Sequence, residues 1–182
     1  RKRFLALEDN TLLPQLRAST PIHQTRAFLP AEFIRRKTGY KTGTDASVKR
    51  SRNPIALLKD LFYTACFIPD EFIGWYPRAT AKGFRLIESE KIDVIYSTGP
   101  PNTPHLIARK LNQETGIPWV MDLRDLWDMY PDSYNPFGWD WRRTLNELLE
   151  HKTLLAADEI IVVSSAMREH LLEKFPELRA LS

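Results

Sequence analysis

The stretch that decides the fold is KIDVIYSTGPPNTPHLIA, Lys91–Ala108. A β-rich apolar run, Ile92–Tyr96, passes through a polar turn, Ser97–Asn102, into a helix. Thr103 is a favoured N-cap and Pro104 suits the first helical position. Leu106, Ile107 and Leu111 recur at helical spacing, and Gly116 marks the C-terminal stop. The β-rich run Ile92–Tyr96, apolar but for Asp93, predicts a central parallel strand covered on both faces. At such a junction the helix offers unpaired N–H groups and a positive dipole end to a ligand.

Similar junctions follow at Trp119–Asp125 and Ile160–Ala166. Pro118–Leu123 reads as the second strand. Trp141–Ala157 reads as a long helix with Leu145, Leu148, Leu149 and Leu155 toward the core. Glu159–Val163 is the third strand, and Ser164 or Ser165 caps a last helix, Ala166–Phe175, which Pro176 helps to end. Upstream, Pro77–Glu90 forms a helix with Ala81, Phe84 and Ile87 marking its faces. The order from residue 77 is αβαβαβα. It predicts an α/β fold, a doubly wound, Rossmann-like parallel sheet with helices on both faces and right-handed crossovers.

The front of the chain is less patterned. Pro21–Phe28 suggests a short strand, Ala31–Arg36 a helical turn and Thr38–Asn53 a flexible loop. Ile55, Leu58, Leu61 and Phe62 recur at helical spacing after Pro54, and that helix should end near Ile68-Pro69. Asp70–Trp75 is a connector, and Asp128–Trp139 a second loop.

Composition narrows the classes. The 182 residues are 43% hydrophobic and 27% charged, which suits a globular domain. No apolar run approaches the roughly 18 residues that span a bilayer. The single cysteine, Cys66, excludes an internal disulfide, favours a reducing compartment and reads as a small core residue. The net charge of +3 is uneven: residues 1–60 carry 13 basic and 5 acidic side chains, a balance of +8, and the rest a balance of −5. A basic front section suits an anionic partner such as a membrane surface or a phosphate-bearing substrate, or is simply a solvated face. Nucleic acid is not expected, since Thr38–Arg52 interleaves only Tyr40 among its basic residues.

Chemistry concentrates at the strand tips. Gly99 permits close backbone approach, Ser97 and Thr98 can bond a polar ligand, and Pro100 shapes the turn; a rigid capped turn is the plainer alternative. The turn lacks the Lys-Ser/Thr of a phosphate loop. His105 stands in the first helical turn, where the dipole favours its neutral form. Asp122 and Arg124 face one side of an extended strand and Leu123 the other. With Asp125 they put three charges at an apolar strand's end, where they must pair with one another or face a cleft. In a cleft, Asp122 or Asp125 could take a proton from an acceptor hydroxyl, and Arg124 could fork onto a phosphate or carboxylate. Trp127, Tyr130, Tyr134, Phe137, Trp139 and Trp141 either stack on sugar rings, dip into a lipid interface or fill the core. His23, His105, His151 and His170 lack metal-ligand spacing, so no metal is expected.

Four segments, Pro69–Ala79, Asp93–Ala108, Gly116–Trp127 and Ala157–Leu171, together resemble the N-terminal, acceptor-binding domain of family 4 glycosyltransferases, enzymes with two Rossmann-like domains facing across a cleft. Residues 1–68 match more loosely. The resemblance implies one domain over residues 1–182, with a first strand expected before residue 1 and a donor-binding domain expected after Ser182. It implies sugar transfer from a nucleoside diphosphate sugar, with retention of configuration, to a sugar or lipid-linked acceptor in surface polysaccharide or glycolipid synthesis, at the cytoplasmic face of a bacterial membrane. Asp122, Asp125 and His105 would be the catalytic residues. Ser97, Thr98, Gly99, Pro100, Arg124 and Ser164 would bind substrate, and the donor sugar would be the only cofactor-like group. This chain alone would turn over little. The competing reading is a non-catalytic Rossmann-like module that docks on a membrane or a protein partner through its basic front section.

Overall fold

The structure is a computed structural model that describes residues 20–27, 58, 65–127 and 140–181. The expected loop Thr38–Asn53 lies outside the described residues, as do Ile55, Leu61, Phe62, Tyr130, Tyr134, Phe137 and Trp139. Residues 21–27, expected as a strand, form neither helix nor strand.

Four helices and three strands alternate along the described chain: α1 (Tyr76–Ser89), β1 (Ile95–Gly99), α2 (Thr103–Thr115), β2 (Trp119–Leu123), α3 (Asp140–Leu154), β3 (Glu159–Val162) and α4 (Ser165–Lys174). Short 3-10 turns precede α1 and follow α4. The strands are parallel in the order β1-β2-β3. This is the expected Rossmann-like α/β class.

β1 starts three residues later than its apolar run suggests. Ile92 and Val94 are exposed, and pairing begins at Ile95↔Trp119 and closes at Gly99↔Leu123. Ser97, Thr98 and Gly99 are therefore strand residues rather than turn residues. Among the described residues the central strand is β2, not β1. Exposure alternates along β1: Ile95, Ser97 and Gly99 are buried, while Tyr96 and Thr98 are exposed. One sheet face thus packs on helices, with Trp119, Met121 and Leu123 of β2 almost wholly enclosed against Leu106, Ala108, Leu111 and Leu154. The other face carries Tyr96, Thr98, Asp122 and Ile161, the last three in register across the three strands.

α2 begins at Thr103, not after it, and Asn102 makes no side-chain cap. The cap comes from a distant residue. Asp70, buried in the connector, accepts from the Thr103 backbone N–H at 2.8 Å and the Thr103 hydroxyl at 2.6 Å, and from the Phe72 N–H at 2.9 Å. Gly116 ends α2 in the left-handed conformation at φ 71, as a glycine stop should.

α3 departs most from expectation. Leu145, Leu148 and Leu155 are exposed, and Leu149 is half-buried. The stripe turned inward is Arg142, Glu150, Thr153 and Leu154. Its polar members are each satisfied. Arg142 Nη2 donates to the Phe67 carbonyl at 2.6 Å, Arg109 Nη1 donates to Thr153 Oγ1 at 3.0 Å, and Lys174 Nζ pairs with Glu150 at 2.8 Å. Cys66 is exposed rather than a core residue, and its neighbour Phe67 takes the buried position.

Candidate functional site

The tips of β1 and β2 bring three side chains to one carboxylate. Parallel pairing sets Thr98 opposite Asp122. Asp122 Oδ2 accepts from the Tyr96 hydroxyl at 2.7 Å, from Thr98 Oγ1 at 2.9 Å and from Arg124 Nε at 3.3 Å. These donors, Tyr96 foremost, hold the Asp122 carboxyl below the usual carboxylate range, and the same bond pushes the Tyr96 phenol up. Asp122 is 4% exposed while the Arg124 side chain is 67% exposed. The carboxylate is therefore an anchor under its donors. Its donors lower the carboxyl's pKa, and the shared oxygen gathers Tyr96, Thr98 and Arg124 around it.

Arg124 is fixed at both ends. Its backbone N–H donates to the Gly99 carbonyl at 3.0 Å, tying the two strand tips together, and its Nε rests on Asp122. Among the described residues its two Nη groups carry no hydrogen bond, which leaves a guanidinium edge for an anionic oxygen. Asp125 is half-buried and hydrogen-bonds to none of the described residues.

His105 lies on the other side of the strands. It is fully buried, with Nδ1 2.8 Å from Ser97 Oγ and its ring stacked 6.3 Å from Trp127. Burial lowers its pKa to about 4, with Asp122 opposing. The neutral ring expected from the helix dipole is present, but desolvation is the main cause. His105 does not join the Asp122 cluster, and its ring has no exposed surface in this arrangement. Trp127 is likewise core: it is 6% exposed, and its indole N–H donates to Asn146 Oδ1 at 3.1 Å.

The remaining residues sit at the ends of helices and strands, Ser164 as the helix cap expected of it. The α2 N-terminus is not an open anion site, because the Asp70 carboxylate already occupies it. Ser164 is the N-cap of α4, accepting from the Met167 N–H at 3.2 Å. Ser97 faces the buried side with His105, and Pro100 is exposed. Among the described residues no group of three His, Cys, Asp or Glu side chains could hold a metal, and no helix is long and apolar enough to cross a membrane.

A family model described as a glycosyl transferase 4-like domain matches residues 54–180. The chain belongs to that family. No curated protein and no solved structure matches it.

In this glycosyl transferase 4-like domain, sequence reasoning missed Tyr96, Trp119 and Asp70. Tyr96 was hidden inside an apolar run, yet its period-two spacing with Thr98 is the signal for a shared face. Trp119 reads as a core residue, and it is one. Its indole N–H also donates to Ser97 Oγ at 2.8 Å. Asp70 is 33 residues from Thr103, and no local pattern links them.

Proposed function

We propose that this domain forms the acceptor side of a glycosyltransferase that moves a sugar from a nucleoside diphosphate sugar to a sugar or lipid-linked acceptor. The observation that carries the reading is the exposed Arg124 guanidinium edge, held with Tyr96 and Thr98 by the buried Asp122 at the carboxyl ends of adjacent strands. Ligands of open α/β sheets bind at this edge. Arg124 fits an anionic oxygen on the donor diphosphate or the acceptor. The Tyr96 ring and the Thr98 hydroxyl supply the apolar and polar contacts that a sugar needs. Asp125 is the carboxylate left to contact an acceptor hydroxyl. A second domain brings the donor, transfer retains configuration, and the enzyme works at the cytoplasmic face of a membrane on surface polysaccharide or glycolipid precursors.

The test uses the natural full-length protein. Release of nucleoside diphosphate is followed with a panel of nucleotide sugars and candidate acceptors. Arg124→Ala should lower turnover by at least about tenfold, a loss of about 1.4 kcal/mol in transition-state stabilisation. It should leave unfolding within about 0.5 kcal/mol of wild type, because the side chain is exposed. Wild-type turnover in Arg124→Ala would overturn the assignment.

A further inference from the structure

A buried chain of polar groups runs beneath the strand tips. The Trp119 indole N–H donates to Ser97 Oγ at 2.8 Å, and Ser97 Oγ lies 2.8 Å from His105 Nδ1. Trp119 and His105 are fully enclosed and Ser97 nearly so. Among the described residues His105 Nε2 has no hydrogen-bond partner.

The inventory of hydrogens decides the direction of this chain. Trp119 can only donate, so it takes a lone pair of Ser97 Oγ. The serine then holds one hydroxyl hydrogen, and among the described residues its other hydrogen-bond partner is His105 Nδ1. If Nδ1 carried the proton, Ser97 Oγ would accept twice and its own O–H would be stranded in the core. If Nδ1 is the acceptor, Trp119, Ser97 and Nδ1 are all satisfied. The ring also lies close against the strand backbone. A Cβ added at Gly99 would lie 2.5 Å from His105 Nε2 and 2.8 Å from the Pro101 carbonyl oxygen, so both atoms converge on one spot beside the glycine. In either tautomer Nε2 is left without a partner among the described residues, so the serine hydroxyl decides the assignment.

We infer that Trp119 and Ser97 lock His105 in the tautomer that carries its proton on Nε2, making His105 a positioning residue for the strand tip. The ring stands against Gly99, whose carbonyl accepts from the Arg124 N–H. The buried relay thus braces, from below, the backbone that presents Thr98 and Arg124 on the open face. The assignment stands whether or not the domain transfers sugar, because it concerns the location of a proton.

The experiment is a long-range 15N–1H correlation spectrum of the imidazoles in the 15N-labelled protein. The His105 signal is assigned by its loss in His105→Gln, or by elimination with His23→Gln, His151→Gln and His170→Gln. A pyrrole-type Nε2 and a pyridine-type Nδ1 are expected, unchanged from about pH 8 to about pH 5.5, where exposed histidines titrate. Trp119→Phe and Ser97→Ala should each shift the His105 nitrogens toward a mixture of tautomers. A wild-type spectrum with the proton on Nδ1, or an imidazolium at neutral pH, would overturn the inference even if no variant folds. An unchanged tautomer in a folded Trp119→Phe protein would remove the tryptophan from the relay.

Discussion

His105 shows how far one residue's environment can be foreseen. Its place in the first turn of a helix was legible, and so was its neutral form. Its burial was not, because burial depends on how the turn folds the ring back against Gly99 and on Trp127 stacking over it from beyond β2. That burial has a measurable consequence. The unfolded chain binds a proton at this ring near pH 6.5, but the folded chain binds it only near 4. Between those values the unfolded state holds more protons, so stability falls as pH drops through that window and levels off below it. The full effect is of order 3 kcal/mol. Urea midpoints should decline from pH about 6.5 to about 4 in the wild type, and the decline should flatten in His105→Gln. Asp122 is shifted in the same downward direction, so its contribution is also lost on acidification, but below the ordinary carboxylate value. Gly99 carries a second prediction at this scale. Gly99→Ala puts a methyl group 2.5 Å from His105 Nε2 and 2.8 Å from the Pro101 carbonyl oxygen, and the latter is backbone that cannot swing away. It should cost about 1–3 kcal/mol in chemical denaturation.

The elements were more legible than their orientations. Periodicity, Pro104 and Gly116 placed α2 to within a residue, because helix signals are local. α3 was located but turned the wrong way. The apolar residues Leu145, Leu148 and Leu155 are exposed, and the buried stripe is led by Arg142, Glu150 and Thr153. At about 100° per residue the two stripes point roughly 140° apart, on nearly opposite sides of the helix. The hydrophobic pattern chose the wrong one because it cannot see Phe67, Arg109 and Lys174, which satisfy the buried polar groups from other elements. Leu148→Gln should therefore change stability by no more than about 0.5 kcal/mol. Leu154→Ala, one step round the helix from the exposed Leu155, should cost about 2–5 kcal/mol. Thermal unfolding of the pair decides which face is the core; equal losses would contradict the orientation of α3. β1 was displaced for a related reason. An apolar run marks a segment fit for a strand, but only the partner strand fixes where pairing starts, here at Ile95↔Trp119.

At the scale of the molecule, the sheet orders both stability and site. β2 is hydrogen-bonded on both sides, whereas β1 and β3 each pair on one side among the described residues. Native-state hydrogen exchange should show the amides of β2 outlasting those of β3 by about tenfold or more. Faster exchange in β2 would contradict the strand order. The same parallel register sets Thr98 beside Asp122 and so assembles the polar cluster at the tips. The sequence by itself determined the alternation of helices and strands, the parallel class and the set of polar residues near the strand ends. These follow from periodicity, caps and turn residues within a few positions of one another. Tertiary structure alone decided that Asp122 is buried beneath Tyr96, that His105 lies across the sheet from it and that Asp70 caps a helix 33 residues away. The reason is physical. Burial and hydrogen-bond partnership are properties of groups brought together from distant positions, and no short stretch of chain contains both partners.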